Sequence, residues 1–432
     1  MAVHARGGWR WSVWLGAAVL AGCAGVFQHT RPAVPMHYER VVQVADGELR
    51  VGAAERDVTP AIGGYLAGFS LGRTSNRIAS NLAVRALVIE TAARRFAIVG
   101  IDNLGVMRED VDWIKSGLPG FANGDVFVCA SHTHAGPDLI GLWGAWLWTT
   151  GRDRDYLTRV REAVADAVAA ARQAAAPARF VHGKGQLPDA GLVKNSNRPF
   201  VFDRRVEVLA ALALDDGRPL GTLLHFACHP EVLPRGNRAI SADFVGELCD
   251  EWQRRGHGQA VFVNGALGAM ISPAKRSRDE RGMRSFGDEA CDVCERALAA
   301  AGPLPVPVIE VRRRDVYLPL TTLGFRLGRL TGVLQRELFA GDARSTVGYL
   351  RLGAFEAITV PGEMEPALAE TIRGDLLRPD LVVFGLCDDE VGYLLRRQEA
   401  TDPLYRYERS MSPCRDAGEL VRAVLRGAPA PR

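Results

Sequence analysis

From about residue 50 the chain alternates short apolar runs with longer segments of helical period, and this alternation limits its fold more than any other feature. Stretches 86–90 (ALVIE), 96–102 (FAIVGID) and 125–131 (DVFVCAS) read as strands, because β-branched and other apolar residues fill them. EDVDWIKSG reads as a short helix. In DYLTRVREAVADAVAAARQA, Leu157, Val160, Val164 and Val168 fall on one helical stripe. VEVLAALAL and GTLLHFACH form a further strand pair across the turn-like DDGRP. FVGELCDEWQRRG is helical, QAVFVNGA is a strand, and RLGAFEAITV and LVVFGLC are late strands around the helix PALAETIRGDLL. Strands alternating with helices argue for an α/β fold, or α+β, with a mixed sheet. No Pro-, Gly- or Ser-rich linker divides this stretch, so one large domain is expected over residues 49–432.

The formal net charge is only +3, which gives no electrostatic ground for binding nucleic acid. There is no Gly-rich phosphate loop followed by Lys-Ser/Thr, no heptad run and no internal repeat. Neither a nucleic-acid partner nor a protein partner is expected.

The N-terminus has the layout of an export signal. Arg6 and Arg10 precede an apolar run from Trp11 to Ala21 that is too short to span a bilayer. Leu20-Ala21-Gly22-Cys23 then resembles the lipobox of bacterial lipoproteins. On that reading residues 1–22 are a signal peptide, Cys23 is the lipidated residue and residues 23–48 are a lipidated tether. Two or three acyl chains make a stable membrane anchor. Ala24 rather than Asp after Cys23 favours the outer membrane, where the cell has one. An ordinary secretory signal that contains a cysteine is the alternative. The seven remaining cysteines suggest no disulfide framework, and Cys291 and Cys294, on a helical pattern, read as small apolar residues rather than metal ligands.

Histidine is scarce, nine in 432 residues, yet CASHTHAGPD places His132 and His134 one residue apart just after a strand. If the strand continues through them, their side chains share a face. LLHFACHPEVL brings His225 and His229, again on one face of a continuing strand; His225, deeper in the apolar run, reads as a core histidine. Glu363 in ITVPGEMEP and Tyr393 in GLCDDEVGYLL also follow apolar strands. Each has a plain alternative: surface histidines, or a carboxylate near the start of a helix. Together they put polar groups just past strand ends, where active sites are built. Two histidines and a carboxylate are the ligand set of a catalytic zinc that keeps an open position, and the chemistry that fits is hydrolysis of an amide or ester.

The same segments, in order, resemble the neutral/alkaline, non-lysosomal ceramidase family over most of the mature chain. AAERDVTP, LAVRALVIE, SHTHAGPD, NSNRP…FDRRVEVLAAL, FACHPEVL, ISADF, VPGE and GY…YE carry the resemblance, and SHTHAGPD is the most specific. It implies a mixed-sheet zinc hydrolase domain with one zinc per chain, held by His132, His229, Glu363 and Tyr393. It implies that His134 contacts the reacting carbonyl or the water, that Tyr407 donates to the developing oxyanion, with Tyr405 a rival, and that Arg198 contacts substrate. Ser241-Ala242-Asp243 matches a family motif, or caps the helix that follows. The family's Asn-x-Gly-Asp segment departs here: Ala269 and Met270 stand in VNGALGAMISP without the aspartate.

The resemblance implies cleavage of the N-acyl bond of a ceramide-like lipid. A zinc esterase or amidase on another substrate, or a non-catalytic lipid-binding lipoprotein, are the alternatives. LIGLWGAWLWTTG (139–151) follows the histidine motif with Trp143, Trp146 and Trp148, which either expose an apolar patch for an amphiphile or bilayer, or pack beneath the site.

Overall fold

The computed structural model describes residues 28–29, 37–188, 191–198, 200–274 and 277–427. The expected signal peptide, residues 1–22, and the expected lipidation site Cys23 lie outside the described residues. The architecture is a mixed α/β fold built on two large sheets.

The larger sheet has nine strands. Its path runs Ala260–Asn264, Pro219–Phe226, Arg205–Ala213, Ala176–Gln186, Arg50–Asp57, Ala83–Glu90, Arg95–Ile101 and Val126–Ala130, with Gly302–Leu304 paired beside Ala176–Gln186. Interior neighbours are antiparallel, but the two end strands of this path, Ala260–Asn264 and Val126–Ala130, run parallel to theirs. Helices pack directly on the sheet where glycine allows it. A Cβ on Gly52 would sit 2.2 Å from Ala171 O of the helix Arg154–Gln173, and one on Gly183 would sit 2.2 Å from Ala297 O of the helix Glu280–Ala299. The helical stripe Leu157, Val160, Val164 and Val168 is buried as its spacing predicts. Asp153 caps that helix by accepting from the backbone N–H groups of Asp155 and Tyr156.

The sheet curls until its ends meet. A Cβ on Gly100 would lie 3.1 Å from Phe262 O, so the strand Arg95–Ile101 backs onto Ala260–Asn264. This curl brings the two parallel end strands side by side.

The second sheet has seven strands, with Val308–Pro319 and Asp342–Leu352 as its long antiparallel centre. Phe355–Thr359 pairs with Asp342–Leu352, and Val382–Phe384 joins parallel to it. His37–Gln43 pairs with Val308–Arg314. Within the span expected as a tether, His37–Gln43 is therefore part of a sheet, because HYERVVQ extends and registers against a long partner strand. One apolar core, with Leu87, Phe127, Val261, Ile309, Leu350 and Phe384, fills the space between the sheets. Cys291 and Cys294 are buried in a separate cluster with Phe286, and burial pushes both thiols up, Cys291 to about 12.

The sheets are joined by buried charge. The loop 387–390 crosses from the second sheet, and Cys387 forms an isolated antiparallel bridge with Cys129 of the first. Asp388 N donates to Val128 O (2.7 Å), and its carboxylate accepts from Val128 N (2.9 Å) and pairs with Lys115 Nζ (2.8 Å) and with Arg313. Burial works against the charge, yet Arg313 and Lys115 hold this carboxyl below the usual range. Asp389 accepts from Arg108 N (2.9 Å), Ser345 Oγ (2.6 Å) and Arg336 Nη1 (3.0 Å).

Asp388→Asn leaves Lys115 and Arg313 buried beside an uncharged amide, and unfolding free energy is expected to fall by about 3–5 kcal/mol in urea titrations. The folded carboxyl sits lower than its ordinary 3.8, so its contribution is complete above that value and lost as pH falls through the folded one. The acid-induced loss of stability is therefore expected to be smaller in the variant than in the parent. Equal midpoints for both would remove this account of the junction.

Candidate metal centre at the meeting of the two sheets

The strand carrying the first histidine pair ends at Ala130. It does not continue through His132, whose φ of +75° is left-handed. The shared-face expectation for His132 and His134 is therefore replaced by a turn: Ser131 N donates to Ile101 O (2.9 Å) and His132 N to Asn103 O (2.8 Å). The His132 Nδ1 lies 2.7 Å from Leu104 O. A carbonyl can only accept, so Nδ1 carries the proton and Nε2 is left with its lone pair. Both ring nitrogens of His134 are buried without a hydrogen-bond partner. Gly68 packs against that ring so tightly that a Cβ would fall 2.6 Å from Nδ1.

The second pair separates in the same way. The strand stops at Phe226, and His229 lies beyond it. Its backbone N donates to Ile271 O (2.8 Å), and its Nδ1 bonds the same oxygen (2.7 Å), again freeing Nε2. His225 stays in the strand, with Nδ1 on Val263 O (2.9 Å) and its ring against Phe384, outside the cluster.

The second sheet delivers the other two groups. Glu363–Met364 and Tyr393–Leu394 form a short parallel ladder in which Glu363 and Tyr393 are direct partners. Glu363 does not cap a helix; the helix Pro366–Leu376 starts after it. Glu363 Oε2 lies 3.0 Å from His229 Nε2 and 3.5 Å from His132 Nε2. The Tyr393 hydroxyl lies 3.5 Å from Met270 Sδ, and its ring is 6.1 Å from that of Tyr407.

One ligand atom from each of His132, His134 and His229 lies within 4.8 Å of the others, the scale set by two metal–nitrogen bonds of about 2 Å. Two imidazoles with Nδ1 spent on carbonyls, a third with both nitrogens unpartnered, and a carboxylate against the first two make a donor set that fits zinc. Burial opposes charge on Glu363, but His132 and His229 pull its carboxyl far below the usual range. Burial also opposes an imidazolium at His229, but contact with Glu363 wins and raises it. His134 is driven well below its ordinary value by burial and by its two histidine neighbours, so it is neutral. Burial, then Glu363, pushes the Tyr393 phenol up.

The residues that hold this arrangement include Asn264, whose role was not legible in the sequence. Asn264, fully buried at the end of its strand, donates from Nδ2 to Ser131 O (3.0 Å) and Cys228 O (2.8 Å). Its Oδ1 accepts from Cys228 N (3.1 Å) and Gly265 N (3.0 Å). One amide thus ties the residue before His132 to the residue before His229. The motif Ser241-Ala242-Asp243 braces both histidine loops instead of simply capping a helix: Ser241 O accepts from Thr133 Oγ1 (2.7 Å), and Asp243 accepts from Val232 N (3.1 Å) and Leu233 N (3.0 Å). Asp138 accepts from the N–H groups of Ile140, Gly141 and Trp143, folding the loop beyond the motif. The Asn-Gly step after an apolar strand was the one available signal for Asn264, and it reads equally as a turn.

A cleft opens over the cluster, lined by His132, His134, Glu363, Tyr393, Tyr407 and Trp143. Tyr405 is buried and its hydroxyl donates to Arg198 O (2.8 Å), so it is spent on holding the backbone at Arg198. The Arg198 side chain is exposed, lies over the Phe200 ring and is not among the residues lining this cleft.

No protein-family model matches the chain, and no curated protein matches it. Solved structures match it in fold. The neutral ceramidase of Pseudomonas aeruginosa is similar with a TM-score of 0.69 at 18% identity, over 90% of this chain and 77% of that one. A ceramidase solved in complex with C2 gives a TM-score of 0.70 at 18% identity, over 89% of this chain and 76% of that one. The chain has the neutral ceramidase fold.

Asn264→Ala is expected to lower the affinity of the cluster for an added divalent metal by about 10–100-fold, read by competition with a chromophoric chelator, while circular dichroism stays that of the folded chain. An unchanged affinity in a folded variant would show that the amide does not set the histidine spacing.

Proposed function

We propose that the chain is a zinc-dependent hydrolase that cleaves the N-acyl amide bond of a ceramide-like lipid. The observation that carries this reading is the convergence of His132, His134, His229 and Glu363 at the floor of a partly apolar cleft, within a fold shared with ceramidases. His132, His229, Glu363 and Tyr393 are the residues assigned to hold the ion, with His134 beside them. A zinc ion held by them would supply Lewis acidity for the acyl carbonyl and would make a water more acidic near neutral pH.

The chain's own groups account for the rest. Glu363 stays ionised and gives the site its negative charge. His134, neutral and unpartnered, faces the space where the carbonyl or the attacking water would sit. Tyr407 is half exposed on the cleft wall, and burial followed by the field of Glu363 raises its phenol to about 12, so the proton it would donate to an oxyanion stays on it at neutral pH. Leu142, Trp143, Phe325, Leu334 and Met411 give the cleft its apolar lining, which suits an acyl chain and excludes water.

Purified full-length protein is expected to carry about one zinc per chain, to lose cleavage of N-acyl lipids on chelation and to regain it with zinc. His132→Ala is expected to lose both metal and activity. A metal-free protein that cleaves at the full rate would overturn the reading, and a panel of N-acyl lipids, esters and cell-wall fragments separates it from an esterase or another amidase. Tyr407→Phe is expected to lower kcat about 10²–10³-fold with KM little changed. Tyr405→Phe should instead lower the unfolding midpoint, since its hydroxyl holds the backbone at Arg198; the opposite pattern would exchange the two assignments.

A further inference from the structure

The loop 139–151 has no charged residue, and it divides its tryptophans between two environments. Trp143 turns inward, packs with Ile140, Phe325 and Leu334, and lines the cleft. Trp146, Leu147 and Trp148 turn outward and are 62%, 72% and 63% exposed. The two outer indoles stack, with ring centroids 6.1 Å apart and planes 10° from parallel. Their turn is fixed: Thr149 N donates to Trp146 O (3.0 Å), and Trp146 N donates to Thr149 Oγ1 (2.8 Å).

The helix Leu323–Leu330 repeats this division. Phe325 and Gly328 face inward. Leu323, Leu327 and Leu330, at i, i+4 and i+7, form one exposed stripe. Arg326 and Arg329 flank the stripe, and neither has an ion-pair partner among the described residues. No acidic residue occurs between Leu320 and Gln335. The helix and the loop touch, since a Cβ on Gly328 would lie 3.8 Å from Leu142 Cδ2, and just past the helix Val333 O would lie 2.6 Å from a Cβ on Gly141. The outer faces of the two segments therefore make an apolar, cationic surface, and their inner faces are walls of the cleft.

We propose that this surface docks on a phospholipid bilayer containing anionic lipid. The stacked indoles sit at headgroup level, where tryptophan is favoured. The leucine stripe enters the acyl boundary, and the two arginines meet anionic headgroups. A protein partner or a second copy would have to bring its own carboxylates to Arg326 and Arg329; a bilayer supplies apolar depth and negative charge together. The inference rests on the reading of the cleft as an amphiphile site for its purpose, which is to let a lipid pass from the bilayer between Trp143 and Phe325 without crossing water.

The test uses the full chain carrying Cys23→Ser, so that no acyl anchor holds it, with vesicles of phosphatidylcholine alone or mixed with phosphatidylglycerol. Flotation is expected to show binding that is stronger with phosphatidylglycerol, and vesicles with brominated acyl chains should quench tryptophan emission. Trp146→Ser/Trp148→Ser should weaken binding at least about tenfold, as the loss of two buried indoles requires, and Arg326→Gln/Arg329→Gln should remove the preference for phosphatidylglycerol. Equal binding by the parent and the double-tryptophan variant would overturn the proposal. So would an oligomer, seen without lipid, that the same variant disperses. Zinc content and cleavage of a detergent-dispersed N-acyl lipid are read in parallel. Docking lost with cleavage intact in the tryptophan variant supports the surface; cleavage absent from a parent that still docks overturns the catalytic reading and leaves the surface standing.

Discussion

The centre depends on a single side-chain amide. A nine-stranded sheet keeps its two ends apart unless something makes them meet; His132 lies beyond the end strand Val126–Ala130, and His229 beyond Pro219–Phe226, the neighbour of the other end strand. The curl brings the end strands together, with Gly100 allowing the close approach to Phe262, and Asn264 makes the joint at the level of the histidines. All of its hydrogen-bonding capacity goes to main-chain groups on both sides. A buried amide left half satisfied is costly, so the two loops are held in one relative position rather than several.

The second sheet reaches the same point by different means. Its contribution arrives through the loop 387–390, locked by ion pairs to Lys115, Arg313 and Arg336, and the short ladder of Glu363 with Tyr393 then sets carboxylate and phenol in register. Neutral hydrogen bonding fixes one half of the centre and buried charge fixes the other. Such charge stabilises only while each partner is present, which makes the junction rigid and intolerant of single changes.

Much of this was readable in the chain. The strands at 86–90 and 125–131 follow from unbroken apolar runs, which are buried on both faces of the sheet, and the helix with Leu157, Val160, Val164 and Val168 follows from its period, because it buries one stripe. So does the placement of polar groups beyond strand ends. The long strand Val308–Pro319 was hidden, because Glu310, Arg312, Arg313, Arg314 and Asp315 make it read as surface. Arg313 is buried there only because Asp388, distant in sequence, neutralises it, and no local pattern carries that. The shared-face argument for His132 and His134 failed on one backbone angle that an L-residue adopts only under tertiary constraint. Asn264 was invisible for the same reason: its partners are backbone atoms brought near by the curl.

Both imidazole tautomers are set by main-chain oxygens, Leu104 O for His132 and Ile271 O for His229. Every amino acid has such an oxygen. The side chains at those two positions can therefore drift without turning either ring, provided the backbone path holds. A histidine cluster oriented this way can outlast most of the sequence that surrounds it.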